Sequence, residues 1–297
     1  MNPSDAHLLD LSNEILLIVL RKLNNIDVLY SLLDINNGRL DIIAQENTFT
    51  NVLNFVHTDN NSLIDRFCIY ILPRIHHNIK YFILEPVFME RILRAAVYPN
   101  LTELKLFNFE QQIASKYFTD ESSLRSVFQQ QITSLILVNN DKSARVEGRN
   151  RIIDGTYVQN DILVYMPQRH SFIFYISTSI DISDLSINLS REHIQQTLIN
   201  IGQQNAATIV NYLSRCTVEC SIFSLPFAFD YMRHLGNIFP NIIFNYATYL
   251  LVQDNDAFIH EFFVRIARSF PLLKYLRVFN INLQISVYMK LSSDHIQ

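Results

Sequence analysis

The sequence predicts an α/β protein: a short segment of three helices over residues 1–56, then an irregular array of alternating strands and helices over residues 57–297. Three observations carry this. Apolar residues recur at helical spacing through the first fifty positions. Short apolar runs with hydrophobic residues at alternate positions recur through the remainder. The composition suits a packed interior, with 49% hydrophobic and 18% charged residues in a chain of 297, fewer charges than the roughly one quarter usual in soluble domains. That length is enough for one large domain or two.

The helical segment comes first. Leu11, Ile15, Leu16, Val19, Leu20 and Leu23, then Ile26, Leu29, Leu32 and Leu33, fall three or four apart, which puts them on one face of a helix. Ser12, Asn13 and Glu14 offer caps at its start, Asn24-Asn25 breaks it, and Asp27 caps a second helix. Asn36-Asn37-Gly38 ends that one, and a third runs from Arg39 to Ala44. Three helices this short hide too little apolar surface to stand alone. Their remaining face needs a partner, either the rest of this chain or another protein.

The run Leu9-Asp10-Leu11-Ser12-Asn13-Glu14-Ile15-Leu16, with Val19-Leu20 one turn later, Leu23 closing the helix and Asp27-Val28 opening the next, resembles an F-box. The family's proline after the first leucine is Ser12 here. Arg39-Leu40 stands where the family has an aromatic, and Gly38 reads as a one-residue insertion before it. The resemblance implies that this segment docks on the Skp-family adaptor of a cullin ubiquitin ligase through Leu11, Ile15, Leu16, Val19, Leu20 and Leu23, continued by Val28, Leu32 and Ile35. The rest of the chain would hold a protein substrate of unknown identity.

Beyond residue 56 the charge changes. Residues 1–60 carry three basic and eight acidic residues, a net of −5 against −4 for the whole chain, which leaves +1 for the remainder. A boundary near the Asn-rich run 58–62 follows from that shift. Several strands then share an L-x-x-L-x-L frame, seen at Leu101, Leu104, Leu106, at Ile132, Leu135, Leu137, and at Leu273, Leu276, Val278, with weaker copies at Ile79, Phe82, Leu84 and Ala247, Leu250, Val252. Amphipathic stretches intervene at 88–97, 122–131, 193–201, 227–238 and 257–270.

Asn140 and Asn255 stand where an amide satisfies backbone groups at the turn, and the intervals Ile79 to Leu101, Leu101 to Ile132 and Ala247 to Leu273 are 22, 31 and 26 residues. This is similar to a degenerate leucine-rich-repeat array, a frequent companion of an F-box, irregular around 142–168. If the strands stack in parallel, the residues between the buried positions face outward. That row holds Lys105, Phe107, Ile136, Val138, Tyr249, Leu251, Tyr275, Arg277 and Phe279, and these are the expected substrate-binding residues, of the kinds that dominate protein interfaces.

Other functions are disfavoured. With 24 Lys+Arg against 28 Asp+Glu, there is no cationic excess for a phosphate backbone, so nucleic acid is not an expected partner. The glycines, Gly38, Gly148, Gly155, Gly202 and Gly236, are spaced for no dinucleotide fingerprint, P-loop or nucleophile elbow. Cys68, Cys216 and Cys220 are an odd set that suits a reducing compartment and lacks zinc-ligand neighbours.

His260-Glu261 begins a zinc-protease motif, but Val264 occupies the second histidine's place. The acidic start is unlike a signal peptide, and the charge-free run 235–252 contains Pro240 and three asparagines, costly in hydrocarbon. The reading is therefore a non-enzymatic protein without cofactor, metal or membrane, cytoplasmic or nuclear. The alternative from the same residues is an interaction scaffold whose helical N-terminus only caps the array. An adaptor-binding segment would leave Leu11, Ile15, Leu16 and Leu20 partly accessible, whereas a cap would bury them against the second domain.

Overall fold

Asparagine side chains set two of the first three helix starts in the computed structural model, which describes residues 10–33, 35, 37–56, 61–109, 111–138, 152–181, 190–213, 217–280 and 285–291. Helix α1 spans Asn13–Leu20. Asn24 accepts the Ile26 N–H and so opens α2, Asn25–Leu32, one turn earlier than an Asp27 cap would. Asn37 accepts from Arg39 N and Leu40 N to open α3, Gly38–Ala44. A fourth turn, α4 at Asn47–Thr50, leads into strand β1, Val52–Asn54.

This strand corrects the helical reading of residues up to 56. Thr50, Leu53 and Phe55 are each fully buried and form the first copy of the strand frame, unseen in the sequence because a threonine holds its first position. Helix α5, Asn61–Arg66, widens into a π turn at Phe67–Ile71 and continues as α6, Leu72–Ile75. Pro73 lies just beyond the widened turn and has no N–H to extend a regular ladder. Next come β2, Tyr81–Leu84, α7, Pro86–Ala95, β3, Glu103–Phe107, α8, Gln111–Tyr117, α9, Arg125–Gln130, and β4, Ser134–Val138.

The chain is mixed α/β and divides into two compact units, residues 1–136 with 165–172, and residues 137–164 with 173–297. The helical N-terminus is packed in the same unit as the strands that follow it. In this first unit the strands lie in the order β1-β2-β3-β4, with β1 to β2 and β2 to β3 parallel.

One device sets their register. The carbonyl just before or at each strand's start accepts two successive N–H groups from the next: Asn51 from Lys80 and Tyr81, Lys80 from Thr102 and Glu103, Thr102 from Thr133 and Ser134, Thr133 from His170 and Ser171, all at 2.7 to 3.1 Å. Each acceptor follows the first buried residue of a frame, and Ile79, Phe82, Leu84, Leu104, Leu106, Ile132, Leu135 and Leu137 are all fully buried.

The second unit holds α10, Gly155–Asp161, all but the last residue of a 3-10 turn at Leu163–Tyr165, β5, Ser171–Asp181, from Ile173 onward, α11, Arg191–Asn200, β6, Ala206–Tyr212, and β7, Thr217–Ser224. It continues with β8, Tyr231–Leu235, β9, Tyr249–Asp254, α12, His260–Ser269, β10, Tyr275–Asn280, and β11, Ile285–Lys290. Of the irregular stretch 142–168, residues 142–151 lie outside the described residues, as do Asn140 and Cys216. The remainder carries α10 and the 3-10 turn.

Strands β5, β7 and β6 pair antiparallel in that order, whereas β8, β9 and β10 are parallel with β11 antiparallel at the edge. The same paired acceptors recur, Asp230 to Thr248 and Tyr249, then Thr248 to Lys274 and Tyr275.

Residues 227–238, expected as a helix, instead contain β8. Phe227, Phe229 and Tyr231 alternate, and all three rings contact Tyr175 at centroid distances of 5.4, 5.8 and 5.8 Å. Burial at a period of two won over an apolar spacing that also fits a helix. The strand bulges between Met232 and Leu235, where His234 takes a positive φ of 54°. No helix of the described residues is long and apolar enough to cross a membrane.

Candidate interaction surface

Helix α1 has two apolar faces. Leu16 and Leu20 are buried, as are Val28, Leu29 and Leu32 on α2, so four of the residues expected to meet an adaptor, Leu16, Leu20, Val28 and Leu32, are packing residues of this chain. The opposite face stays open: Ile15 is 49% exposed, Ile18 61%, Val19 44%, and Leu23, just past the helix, 51%. Ile15, Ile18 and Val19 stand three and four apart and therefore side by side. Ile35 is 52% and Ile42 of α3 72% exposed, and Leu11 is half-buried. Ile18 and Ile42, the most exposed of the set, were missed because their positions break the apolar stripe that the interior demands.

Short polar links hold this face in place. Arg39 Nε donates to Asn13 Oδ1 at 2.7 Å, and its Nη2 donates to the Leu11 carbonyl, which ties the start of α1 to α3. Ser12 makes no side-chain cap to the helix; its hydroxyl instead hydrogen-bonds the Glu14 carboxylate and helps hold that group below its usual range.

Beneath, Asn25 Nδ2 donates to the carbonyls of Thr48 and Val52 at 3.2 and 2.9 Å. Arg66 reaches the Tyr30 carbonyl, and Arg74 the Leu33 carbonyl at 2.8 Å and Asp41 at 3.0 Å. Tyr30 donates to the Leu63 carbonyl, and burial pushes its phenol up to about 12. These bonds tie α2 and α3 to α5 and α6, and Asn25 fastens α2 to α4 and β1.

The expected substrate-facing residues separate by unit. In the first, Lys105 and Phe107 of β3 and Ile136 of β4 are half-buried, with Lys105 Nζ 4.6 Å from the Phe107 ring centroid. Val138 is fully buried and has no outward surface to offer, so it leaves the set. In the second, register sets Tyr249 beside Tyr275 and Leu251 beside Arg277; Arg277 is exposed, while the other three and Phe279 are half-buried. Tyr231, Tyr288 and Lys290 join the same face by register. Lys290 and Tyr288 alternate with Val287 and Met289, a strand signal short enough to pass for chain end.

A buried polar group lies under β5, β7 and β8. Ser177 Oγ donates to the Glu219 carboxylate and lies 2.8 Å from Ser221 Oγ. His234 Nδ1 stands 2.6 Å from the other Glu219 oxygen, although the ring N–H is not aimed along that line and Nδ1 makes no hydrogen bond. The serine meets the carboxylate and not the imidazole, which is not the nucleophile-to-base order of a hydrolytic triad.

Among the described residues no three His, Cys, Asp or Glu side chains group as metal ligands. An open depression over α7 and α8 is lined by Glu90, Arg91, Arg94, Lys116 and Tyr117. There the Ser123 hydroxyl and Lys116 hold Glu90 below the carboxylate range, a solvated charge network.

Comparison of the chain with protein-family models, with curated proteins and with solved structures finds no match.

Proposed function

We propose that this chain is a substrate-receptor subunit of a cullin-type ubiquitin ligase. The outward face of α1 takes the Skp-family adaptor, and the repeat-like strands hold a protein to be ubiquitinated. The observation that carries the reading is the two-sided helix: one apolar face is spent on the chain's own core, and Ile15, Ile18, Val19 and Leu23 remain as a contiguous exposed stripe. Such a stripe marks an interaction site. The strand frames and their paired backbone acceptors fit a leucine-rich-repeat-like array that grows by adding one strand beside the last.

In this role no side chain of the chain does chemistry. Holding a target near a catalytic subunit raises the effective concentration of its lysine, and proximity supplies the rate. The scaffold reading retains one observation of its own, the burial of Leu16 and Leu20 against the same chain, but a cap alone leaves the outer stripe without a purpose.

The test is capture of purified adaptor by the full chain beside an Ile15→Asp, Ile18→Asp variant. Fully burying an aliphatic side chain is worth about 1.5–3 kcal/mol. Both residues are about half exposed, so losing the pair removes roughly 2 kcal/mol, near thirtyfold in affinity, before the desolvation of two carboxylates is added. The reading predicts capture by the parent and at least that loss in a variant with an unchanged melt. No capture by a cooperatively melting parent leaves the scaffold.

A further inference from the structure

The β8–β11 sheet turns Met232, Leu250, Val252 and Leu276 inward, and its other face carries a pattern of its own. Register sets Tyr231, Tyr249 and Tyr275 in one row across the parallel strands, and Lys290 closes that row on β11. In the next row Leu251, Arg277 and Tyr288 stand side by side. The rings of Tyr275 and Tyr288 are stacked, with centroids 6.2 Å apart and planes at 22°.

Arg277, Tyr288 and Lys290 are exposed. Neither cation has a hydrogen bond or ion pair among the described residues, and the row beyond, Gln253, Phe279 and Ser286, adds no carboxylate. Tyr288 opposes Arg277, so Lys290 is its diagonal neighbour, at about 7–8 Å between strand positions. The long side chains of both reach one anionic group, or two placed a residue apart. Two exposed cations beside stacked aromatic rings offer charge attraction and apolar contact together.

We propose that this face binds an extended protein segment bearing a phosphate or paired carboxylates flanked by apolar side chains. The proposal rests on the receptor reading and names the class of target it takes. Charge complementarity selects the occupant. Single-stranded nucleic acid requires cations that follow successive phosphates, whereas this face presents Arg277 and Lys290 at one edge and Arg233 over the Tyr231 ring at the other, in a chain of net charge −4.

The test challenges immobilised full-length protein with degenerate eight-residue peptide pools fixed at the centre to phosphoserine, to Glu-Glu or to Lys-Lys, and with a uridine oligonucleotide. An Arg277→Glu, Lys290→Glu variant and an Arg277→Ala, Lys290→Ala variant run alongside, each checked by its melt. The expected result is retention of an anionic pool at least fivefold above the Lys-Lys pool, reduced in the alanine variant and abolished in the glutamate one. The stronger of the two anionic pools tells phosphate from carboxylate.

Equal retention of all pools, indifference to both variants, or an oligonucleotide that outcompetes the peptides overturns the proposal. Adaptor capture, measured on the same samples, depends on α1 and stays unchanged in both variants. Its absence in the parent refutes the ligase reading, while a parent that captures the adaptor but retains no anionic pool above the Lys-Lys pool refutes this one.

Discussion

Gly155 opens α10 against the middle of α11, and replacing it with alanine tests how closely the two helices are packed. A Cβ at this position would stand 2.3 Å from the Thr197 carbonyl oxygen, 2.4 Å from its carbon and 2.6 Å from Leu198 N. All three are backbone atoms and cannot swing away. Ordinary contact begins near 3.4 Å, so one helix must retreat by roughly 1 Å. Overpacking of this kind costs about 1–3 kcal/mol.

The retreat also stretches the bond from Gly155 N to Thr197 Oγ1, now 2.9 Å, worth about 1 kcal/mol. Against this, alanine restricts the unfolded chain and stabilises by about 0.4–1 kcal/mol. The net expectation is a loss of about 1.5–3 kcal/mol, or roughly 3–10 °C in melting temperature for a unit of this size. Thermal and urea unfolding followed by circular dichroism give the number. Gly38→Ala is the control, because nothing lies within 4 Å of a Cβ there, and it melts at or slightly above the parent. A Gly155→Ala variant that melts within a degree of the parent refutes the close-packing argument.

The two faces of α1 predict opposite stability effects. Leu16→Ala, at a fully buried position, costs about 2–5 kcal/mol, whereas Ile18→Ala stays within about 0.5 kcal/mol; similar losses in urea titrations would mean that α1 has no free face. A pH prediction follows from the tyrosines. Burial raises Tyr30, and burial with the nearby Glu103 carboxylate raises Tyr81, each to about 12, above the unfolded value near 10. The folded chain therefore keeps protons that the unfolded chain releases, and the stability they contribute is whole below pH ~10 and lost as pH rises toward ~12. Alkaline titration of phenolate absorbance is expected to show these groups ionising together with unfolding, and ionisation of every tyrosine near pH 10 in a still-folded chain contradicts it.

Much of this architecture was legible because burial at fixed periods leaves a mark on the sequence. The frames at Ile79, Leu101 and Ile132 each became a strand, set side by side in that order in one sheet, and the helices around 88–97, 193–201 and 257–270 lie within a few residues of their expected places. Where two periods fit one stretch, local pattern was not enough: 227–238 reads as helix until Tyr175 collects its aromatic rings. Strands β5, β6 and β7 escaped notice because burial on both faces, nearly continuous along β7, erases alternation.

For the candidate site the division is sharper. The sequence by itself determined which residues are apolar along α1, α2 and the strand frames, since the cost of leaving them in water is a property of the side chains. Tertiary structure alone decided which way each apolar face turns. Leu16 and Ile15 are chemically near twins, one buried and one half exposed, and the bonds from Arg39 to Asn13 and the Leu11 carbonyl, which tie the start of α1 to α3, are made only in the folded chain. The pairing of Arg277 with Tyr288 and of Lys290 with Tyr275 likewise exists only once β11 folds back on β10, a long-range register that no local period encodes.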